Sequence, residues 1–217
     1  MEQKTQTRKE REREFKKSEI LDAAIQIFAK KGFKATTLGE IAEKSEFGKG
    51  TIYNYFSSKE EIYKEIISSI LATNRKNIQE VDQTTNNLYD FILETTKRQI
   101  SFCLNNKDAF LLLIFTKMHH AKSTSSEVSK LMKNHEEEML KHIVEKTEIA
   151  AKNNEIRKLD SEKLIRLFKS SGFAYIYDLV ISQNLKEENI DDEAFFITDI
   201  LFNGINIKGK KVLKVQS

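Results

Sequence analysis

The chain has 217 residues, enough for one large or two small domains, and 39% of them are apolar, enough for a buried core. It has no Pro and only seven Gly, so helix breakers are nearly absent and the composition predicts an all-α protein. The net charge of +3 does not by itself indicate nucleic-acid binding, although residues 1–60 carry the whole excess, with 13 Lys and Arg against 10 Asp and Glu.

Several classes of protein are excluded at this level. The single cysteine, Cys103, excludes an internal disulfide and a multi-cysteine metal site, and its apolar neighbours predict a buried side chain. No apolar run approaches the ~20 residues that cross a bilayer. The first 17 residues lack the apolar segment of a signal peptide. We therefore expect a cytoplasmic protein.

The charged segment 1–17 and the first helix come first in the chain. Seven basic and four acidic residues in the segment predict either a solvated tail or an arm that touches DNA. The first helix is predicted from Ser18 to about Lys31, because apolar residues recur there at helical spacing. Gly32 follows it and is typical of a helix C-terminus.

Three more helices are predicted in quick succession. A Thr-x-x-Glu capping box at Thr37 opens a helix of about two turns. Residues 45–48 form a turn, and the third helix covers 49–56. A second capping box at Ser58 opens the fourth helix, which continues to about Ile78. Further helices are predicted at about Thr84–Asn105, Asp108–His120, Ser125–Asn153, Ser161–Asn184 and Asp191–Ile207.

The second and third helices and their turn have the pattern of a helix-turn-helix motif. Ala42 supplies the small contact between the two helices, and apolar residues line their inner faces. In this motif the start of the second helix enters the major groove of DNA. Lys49 and Thr51 would then lie beside phosphates or base edges. Asn54 is the best candidate for base recognition, because an Asn amide can bond adenine at two atoms.

Residues Ile20 to about Ile66, in particular ILDAAIQIFAKKGFKATTLGEIA and GKGTIYNYFSSKEEIY, resemble the DNA-binding domain of the TetR family of bacterial repressors. The resemblance implies an all-α homodimer. A charged arm, residues 1–17, would precede an N-terminal three-helix helix-turn-helix domain over 18–63. A larger C-terminal helical domain over 64–217 would bind ligand and dimerise. Carried over by position, DNA contacts are implied at Thr37, Lys49, Gly50, Thr51, Tyr53, Asn54, Tyr55 and Lys59.

Three residues depart from the family pattern. Glu46 stands where the turn usually has Gly, so either a left-handed conformation there costs about 1 kcal/mol or the turn geometry differs. Gly48 stands where many members have Ser, which removes one side-chain contact to phosphate. Gly39 stands where members often have a polar or basic residue that touches DNA. We therefore expect base recognition to depend mainly on the third helix.

Aromatic and soft side chains are abundant in the C-terminal region, and core packing accounts for most of them. The resemblance implies that a few line a cavity for a hydrophobic or aromatic small molecule. The candidate ligand-binding residues are Phe91, Thr95, Phe102, Phe115, Met118, Phe173 and Tyr177. The histidines His119, His120, His135 and His142 lack an accompanying carboxylate pattern, so we expect no metal and no cofactor.

Apolar stripes run along the last two predicted helices. One contains Leu164, Leu167, Phe168, Ser171, Tyr175 and Leu179, and the other contains Phe196, Ile200, Gly204 and Ile207. The resemblance implies that the two helices pair with their copies in a dimer, and an intrachain core is the alternative. A two-fold dimer would present its reading helices about 34–36 Å apart and require a roughly palindromic operator.

The sequence thus predicts a DNA-binding transcriptional regulator, a repressor that a small hydrophobic ligand releases from its operator. The alternative is an architectural or cell-division factor of the same fold that has no inducer. An enzyme is disfavoured, because the sequence contains no phosphate-binding loop, activated nucleophile or carboxylate pair at a suggestive spacing.

Overall fold

The computed structural model describes residues 7–120 and 127–204, except for the side chains of His119 and His120. Within these ranges the chain is helical and contains no strand, which confirms the predicted all-α class. The α-helices are α1 (Arg8–Ala35), α2 (Leu38–Lys44), α3 (Lys49–Tyr53), α4 (Lys59–Thr84), α5 (Leu88–Asn105), α6 (Lys107–His120), α7 (Glu127–Lys152), α8 (Ser161–Ile181) and α9 (Ile190–Asn203). A short 3-10 helix, Glu187–Asn189, leads directly into α9.

Helix α1 corrects the prediction for the N-terminal segment, because it begins at Arg8 rather than at Ser18. A capping box starts it. The hydroxyl of Thr7 accepts from the backbone N–H of Glu10, and the Glu10 carboxylate accepts from the backbone N–H of Thr7 at 2.7 Å. Gly32 lies inside the helix at φ 80°, a left-handed conformation that suits glycine, and kinks it before its end at Ala35. Part of the predicted arm is therefore ordered helix, and residues 1–6 lie outside the described residues.

The chain divides into two compact units. Unit 1 consists of the described residues of 1–74 and 106–135, and unit 2 of those of 75–105 and 136–217. Helices α4 and α7 therefore each contribute to both units. Unit 1 joins α6 to the helices predicted to bind DNA, since α1 packs on both α2 and α6. This grouping by contacts differs from the predicted boundary at residue 63, which remains a prediction about function.

The core of unit 1 is built from aliphatic and aromatic side chains of its helices. Phe28 is fully buried, and its ring lies 5.8 Å from that of Phe33 and 5.3 Å from that of Tyr63. The Tyr63 hydroxyl shares a buried hydrogen bond of 2.6 Å with the hydroxyl of Thr116 on α6. Burial raises the pKa of Tyr63. This bond ties α4 to α6 within unit 1.

Unit 2 has its own hydrophobic core around Phe91, which is fully buried. In this unit α5 packs against α8 and α9. The Tyr175 hydroxyl donates to Glu193 at 2.7 Å and so joins α8 to α9, and burial together with this carboxylate raises the pKa of Tyr175 to about 12. Cys103 is buried as predicted, and burial raises the pKa of its thiol to about 12.

No described helix is both long enough and apolar enough to cross a membrane.

Candidate DNA-binding site

Helix α2 opens with the predicted capping box. The Thr37 hydroxyl accepts from the N–H of Glu40 at 3.3 Å, and the Glu40 carboxylate accepts from the N–H of Thr37 at 2.8 Å. Lys31 also forms an ion pair with Glu40. The hydrogen bond from Lys31, followed by those from Thr37, lowers the pKa of Glu40 to about 2. The hydroxyl of Thr37, a predicted DNA contact, thus has a defined role in starting α2.

In the turn after α2, Glu46 adopts a left-handed conformation with φ 59°, which is the first of the two possibilities for this residue. The N–H of Phe47 bonds the carbonyl of Ala42 at 3.0 Å, and the N–H of Glu46 bonds the carbonyl of Glu43 at 3.1 Å. These two bonds form a Schellman motif, in which the left-handed position is usually glycine. The family turn is therefore retained, with a non-glycine residue in its strained position.

Helix α3 exposes the residues that the sequence assigned to DNA. Ile52 and Phe56 are buried and hold this segment against the core. We define the α3 surface as Lys49, Gly50, Tyr53 and Asn54, which are all exposed. Thr51 and Tyr55 are half-buried beside it.

The predicted end of α3 at Phe56 is corrected to Tyr53. Helical hydrogen bonding nevertheless continues one turn further, since the N–H of Phe56 bonds the carbonyl of Ile52 at 2.9 Å. Asn54 caps α3 and keeps a helical backbone conformation. It therefore stays in register with the α3 surface.

The side chain of Lys49 crosses Gly39 on helix α2. A methyl group at position 39 would lie 3.1 Å from Cε and 3.4 Å from Nζ of Lys49. A side chain at 39 would therefore compete with Lys49 for the same space. Because residue 39 is a glycine, the ammonium of Lys49 on α3 lies where a side chain of α2 would otherwise be.

Lys59 has a structural role that the sequence did not suggest. Its ammonium donates to the carbonyl oxygens of Phe33 and Thr36 at 2.8 and 2.7 Å, and it lies 4.5 Å from the centroid of the Phe33 ring. These carbonyls belong to the C-terminal end of α1, where a cation is favourable. Its contact with phosphate remains a prediction, and the same ammonium stabilises the end of α1.

The capping box predicted at Ser58 is only half formed. The Ser58 hydroxyl accepts from the N–H of Glu61 at 3.1 Å, as expected. The Glu61 carboxylate, however, accepts from the backbone N–H and the hydroxyl of Ser57, at 2.6 and 2.7 Å. These bonds to Ser57 lower the pKa of Glu61. The Glu61 carboxylate at the start of α4 therefore bonds the residue before the predicted cap, Ser57 and not Ser58.

Sequence reasoning missed the proximity of α1 to the end of α3. The guanidinium carbon of Arg13 lies 6.0 Å from the centroid of the Tyr55 ring. The local signal for this ordered segment was available, because Thr7-Arg-Lys-Glu10 has the same Thr-x-x-Glu spacing that marked α2.

The candidate ligand-binding residues fall in both units, and their role remains a prediction. Phe91 is buried in the core of unit 2, where Thr95, Phe102 and Phe173 are half-buried and Tyr177 is exposed. Phe115 and Met118 lie on α6 in unit 1 and are 41% and 67% exposed. The buried Thr95 hydroxyl oxygen has no hydrogen-bond partner among the described residues.

The two described histidine side chains do not form a shared site. Nε2 of His135 lies 3.0 Å from the side-chain oxygen of Asn74 in unit 1. Nε2 of His142 lies 3.7 Å from Asp82 in unit 2, and Lys146 pairs with the same carboxylate. Among the described residues, no group of three His, Cys, Asp or Glu side chains could hold a metal ion.

Residues 20–66 match the family described as bacterial regulatory proteins, tetR family. This match and the relatives below support a TetR family regulator. The TetR family match covers α1 from its first buried residue, the helix-turn-helix and the start of α4. The protein is therefore a DNA-binding transcriptional regulator with an N-terminal helix-turn-helix domain and a C-terminal helical domain.

Relatives of the chain agree with this match. YhgD of Bacillus subtilis, an uncharacterized HTH-type transcriptional regulator, is 28% identical over 163 residues, which are 75% of this chain and 83% of YhgD. IcaR of Staphylococcus aureus, a negative regulator of the biofilm operon icaADBC, is 30% identical over 92 residues, which are 39% of this chain and 50% of IcaR. A solved structure of a candidate fatty acid metabolism regulator from Clostridium perfringens superposes with a TM-score of 0.73 at 25% identity, covering 88% of this chain and all of that one.

Proposed function

We propose that the protein is a repressor that binds a palindromic operator through the α3 surface and leaves it when a small hydrophobic ligand binds. The exposure of Lys49, Gly50, Tyr53 and Asn54 above the buried Ile52 carries this proposal. Tyr53 is 59% exposed, although aromatic side chains of this size are more often covered.

Each member of the α3 surface has a chemical role in this proposal. Asn54 reads a base in the major groove, since its amide both donates and accepts. Lys49 and the Tyr53 hydroxyl bind phosphates and fix the register of α3. No atom outside the neighbouring backbone lies within 4 Å of a methyl group placed on Gly50, so this side of the helix is open to DNA. Thr37, Thr51, Tyr55 and Lys59 complete the proposed set of DNA contacts.

Dimerisation supports the palindromic operator. Large apolar side chains on α8 and α9 are exposed, and exposed apolar patches of this kind are typical of protein interfaces. They are Leu167, Tyr177, Ile181, Phe195, Phe196 and Ile200. Burial of these residues against a second copy would make a two-fold dimer, whose two α3 helices would read successive major grooves about 34–36 Å apart.

Repression and ligand release rest on the relatives and on one buried hydroxyl. IcaR is a negative transcriptional regulator, and the Clostridium perfringens protein is a candidate fatty acid metabolism regulator. A long apolar chain is therefore our favoured ligand class. The Thr95 hydroxyl, which has no hydrogen-bond partner among the described residues, could bond the polar end of such a ligand. Ligand binding would favour a dimer whose α3 helices no longer match the groove spacing.

The DNA-binding part is tested by fluorescence anisotropy on a duplex taken from DNA upstream of the protein's own coding sequence. The Tyr53→Ala/Asn54→Ala variant should bind this duplex at least tenfold more weakly, because one bidentate base contact contributes about 1–3 kcal/mol. Gln99→Ala, an exposed change on α5, is the control and should bind normally. Equal binding by all three proteins, or equal affinity for a shuffled duplex, would contradict the proposal.

The ligand part is tested by adding saturated fatty acids of increasing chain length to the protein–DNA complex. Release that grows with chain length supports an apolar inducer. A complex that no chain length dissociates favours the alternative of a DNA-binding factor without an inducer.

Analytical ultracentrifugation tests the dimer, and Leu167→Glu/Phe196→Glu should shift it towards monomer, since losing an interface hot spot costs about 2 kcal/mol or more.

A further inference from the structure

The first ten residues of α1, Arg8–Lys17, are a helical extension that projects beyond the hydrophobic core. We call this segment the N-terminal extension. It is exposed except at Lys17, which is half-buried, and the first fully buried residue of α1 is Ile20. The extension contains six Lys and Arg against three Glu. An exposed helix with this charge excess, whose first turn is stabilised by a capping box at Thr7, is a candidate surface for a polyanion.

The cations of the extension lie on two different faces. With about 3.6 residues per turn, Lys9, Arg13 and Lys16 lie on the same face as Ile20, whereas Arg11 lies on the opposite face. The face of Ile20 is the one that packs into unit 1. The face of α1 that is apolar from Ile20 onwards therefore carries cations in the N-terminal extension. We call these cations, Lys9, Arg13 and Lys16, the stripe.

Two contacts place the N-terminal extension beside the residues that follow α3. Arg13 lies over the Tyr55 ring at 6.0 Å. One turn later, Nζ of Lys17 lies 5.8 Å from the centroid of the Phe56 ring and pairs with Glu65 on α4 at 2.8 Å. Tyr55 directly follows Asn54 of the α3 surface, so Arg13 is positioned at the border of the proposed DNA contact.

The cations of the stripe lack acidic partners. Lys9, Arg13 and Lys16 form no ion pair with a described residue, whereas Arg8 pairs with Glu12 at 2.9 Å. A distance of 6.0 Å is the outer limit of a cation–π contact, so the ring positions Arg13 without occupying its N–H donors. The extension is about 15 Å long, and a DNA strand carries one charge per about 3.4 Å of helix axis. The stripe is thus long enough to reach more than one phosphate.

We propose that Lys9, Arg13 and Lys16 bind phosphates of the DNA backbone next to those contacted by α3. The N-terminal extension is then a second DNA-contacting element, which strengthens binding without reading sequence. This inference rests on the proposed function, because Arg13 borders the α3 surface that is proposed to bind DNA.

The salt dependence of binding tests the inference with matched variants of the full chain. Arg13→Ala and Arg11→Ala remove the same charge from the same exposed helix, on opposite faces, and alanine preserves the helix. Anisotropy titrations at several KCl concentrations give the slope of log affinity against log salt. Each lost phosphate contact lowers the magnitude of this slope by about 0.9. Arg13→Ala should show this loss, Lys9→Ala/Arg13→Ala about twice the loss, and Arg11→Ala the wild-type slope.

The pattern of slopes distinguishes the possible outcomes. Losses for Arg13→Ala that are equal on the upstream duplex and on a shuffled duplex support phosphate contacts. If Arg13→Ala and Arg11→Ala have the same slope, the inference is wrong, whether both slopes are reduced or both equal that of wild type. A phosphate contact on the Arg13 face predicts a reduced slope for Arg13→Ala alone. If the wild-type chain binds the upstream duplex and loses binding on Tyr53→Ala/Asn54→Ala, such a result leaves the proposed function intact. A wild-type chain that binds no DNA contradicts both.

Discussion

Gly39 and Lys49 are coupled across the helix-turn-helix, because the lysine side chain occupies the space next to the glycine Cα. The approach of 3.1 Å between Cε and a methyl group at position 39 is closer than ordinary van der Waals contact. A lysine on α3 thus takes the place of the side chain that many family members carry on α2. At this point of the surface α2 contributes no side chain, and Lys49 of α3 is the cation that is present.

Gly39→Ala tests this coupling. The methyl group should displace the Lys49 ammonium, weaken operator binding several-fold and lower the magnitude of the salt slope by up to about 0.9, the value for one phosphate. Helix stability should rise by up to about 1 kcal/mol, because alanine is the better helix former. Anisotropy and thermal melting separate the two effects. In a Lys49→Ala background, Gly39→Ala should have no further effect on binding, and an effect of undiminished size would contradict the coupling.

Lys59→Met should lower the free energy of unfolding by about 2 kcal/mol. Methionine keeps most of the aliphatic length but removes the ammonium that bonds the carbonyls of Phe33 and Thr36, and hydrogen bonds to charged groups contribute about 1.5–3 kcal/mol. Urea denaturation measures the change. Lys30→Met removes a lysine from the exposed side of α1 and should stay within about 0.5 kcal/mol of wild type. A Lys59→Met chain as stable as wild type would show that the contact is not stabilising.

Glu46→Gly should raise the free energy of unfolding by about 1 kcal/mol. Its left-handed conformation, at φ 59°, costs an L-residue roughly this amount and costs glycine almost nothing. Glu43→Gly is the matched control, three residues earlier and inside α2, and it should destabilise by about 1 kcal/mol. The two glycine variants therefore shift the urea midpoint in opposite directions. A shift of the same sign would mean that the turn is not strained.

The capping box of α2 should lose its stabilising effect in acid. The pKa of Glu40 is lowered from its ordinary 4.5 to about 2 in the folded protein, mainly by Lys31 and then by Thr37. Its contribution is therefore fully present above pH 4.5 and disappears as the pH falls towards 2. The stability difference between wild type and Glu40→Gln should shrink over this range in urea titrations. Gln26→Ala, an exposed substitution on α1 that involves no carboxyl group, should give a difference that does not follow pH.

Local patterns in the sequence were sufficient for most of the secondary structure. Residue spacing within one turn decides where a helix can be capped, and the capping pattern at Thr37 predicted α2 correctly. The same pattern at Thr7 marks the true start of α1, but the segment after it has no apolar stripe, and a charged segment without a stripe predicts an arm. The family motif from α1 to α4 was likewise recognisable, because its residues are close together in the chain.

Contacts between distant residues were decided only by the tertiary structure. Lys59 bonds carbonyls 23 and 26 positions earlier, and Tyr63 bonds Thr116 at a separation of 53 residues. Neither pairing leaves a periodic signal, since it depends on how whole helices pack. For the same reason the sequence could name apolar candidates for a ligand site but could not place Phe91 in a core and Met118 on an exposed helix face.

The sequence by itself therefore determined the helical class, the helix-turn-helix and the residues of the α3 surface, because periodicity and capping act over one or two turns. The tertiary structure decided which cationic side chains bond to other residues of the fold and which remain available to bind DNA. Lys59 is held by the end of α1, whereas Lys49 lies exposed across Gly39 and Arg13 is positioned over Tyr55. Packing geometry makes that distinction, and charge composition alone cannot.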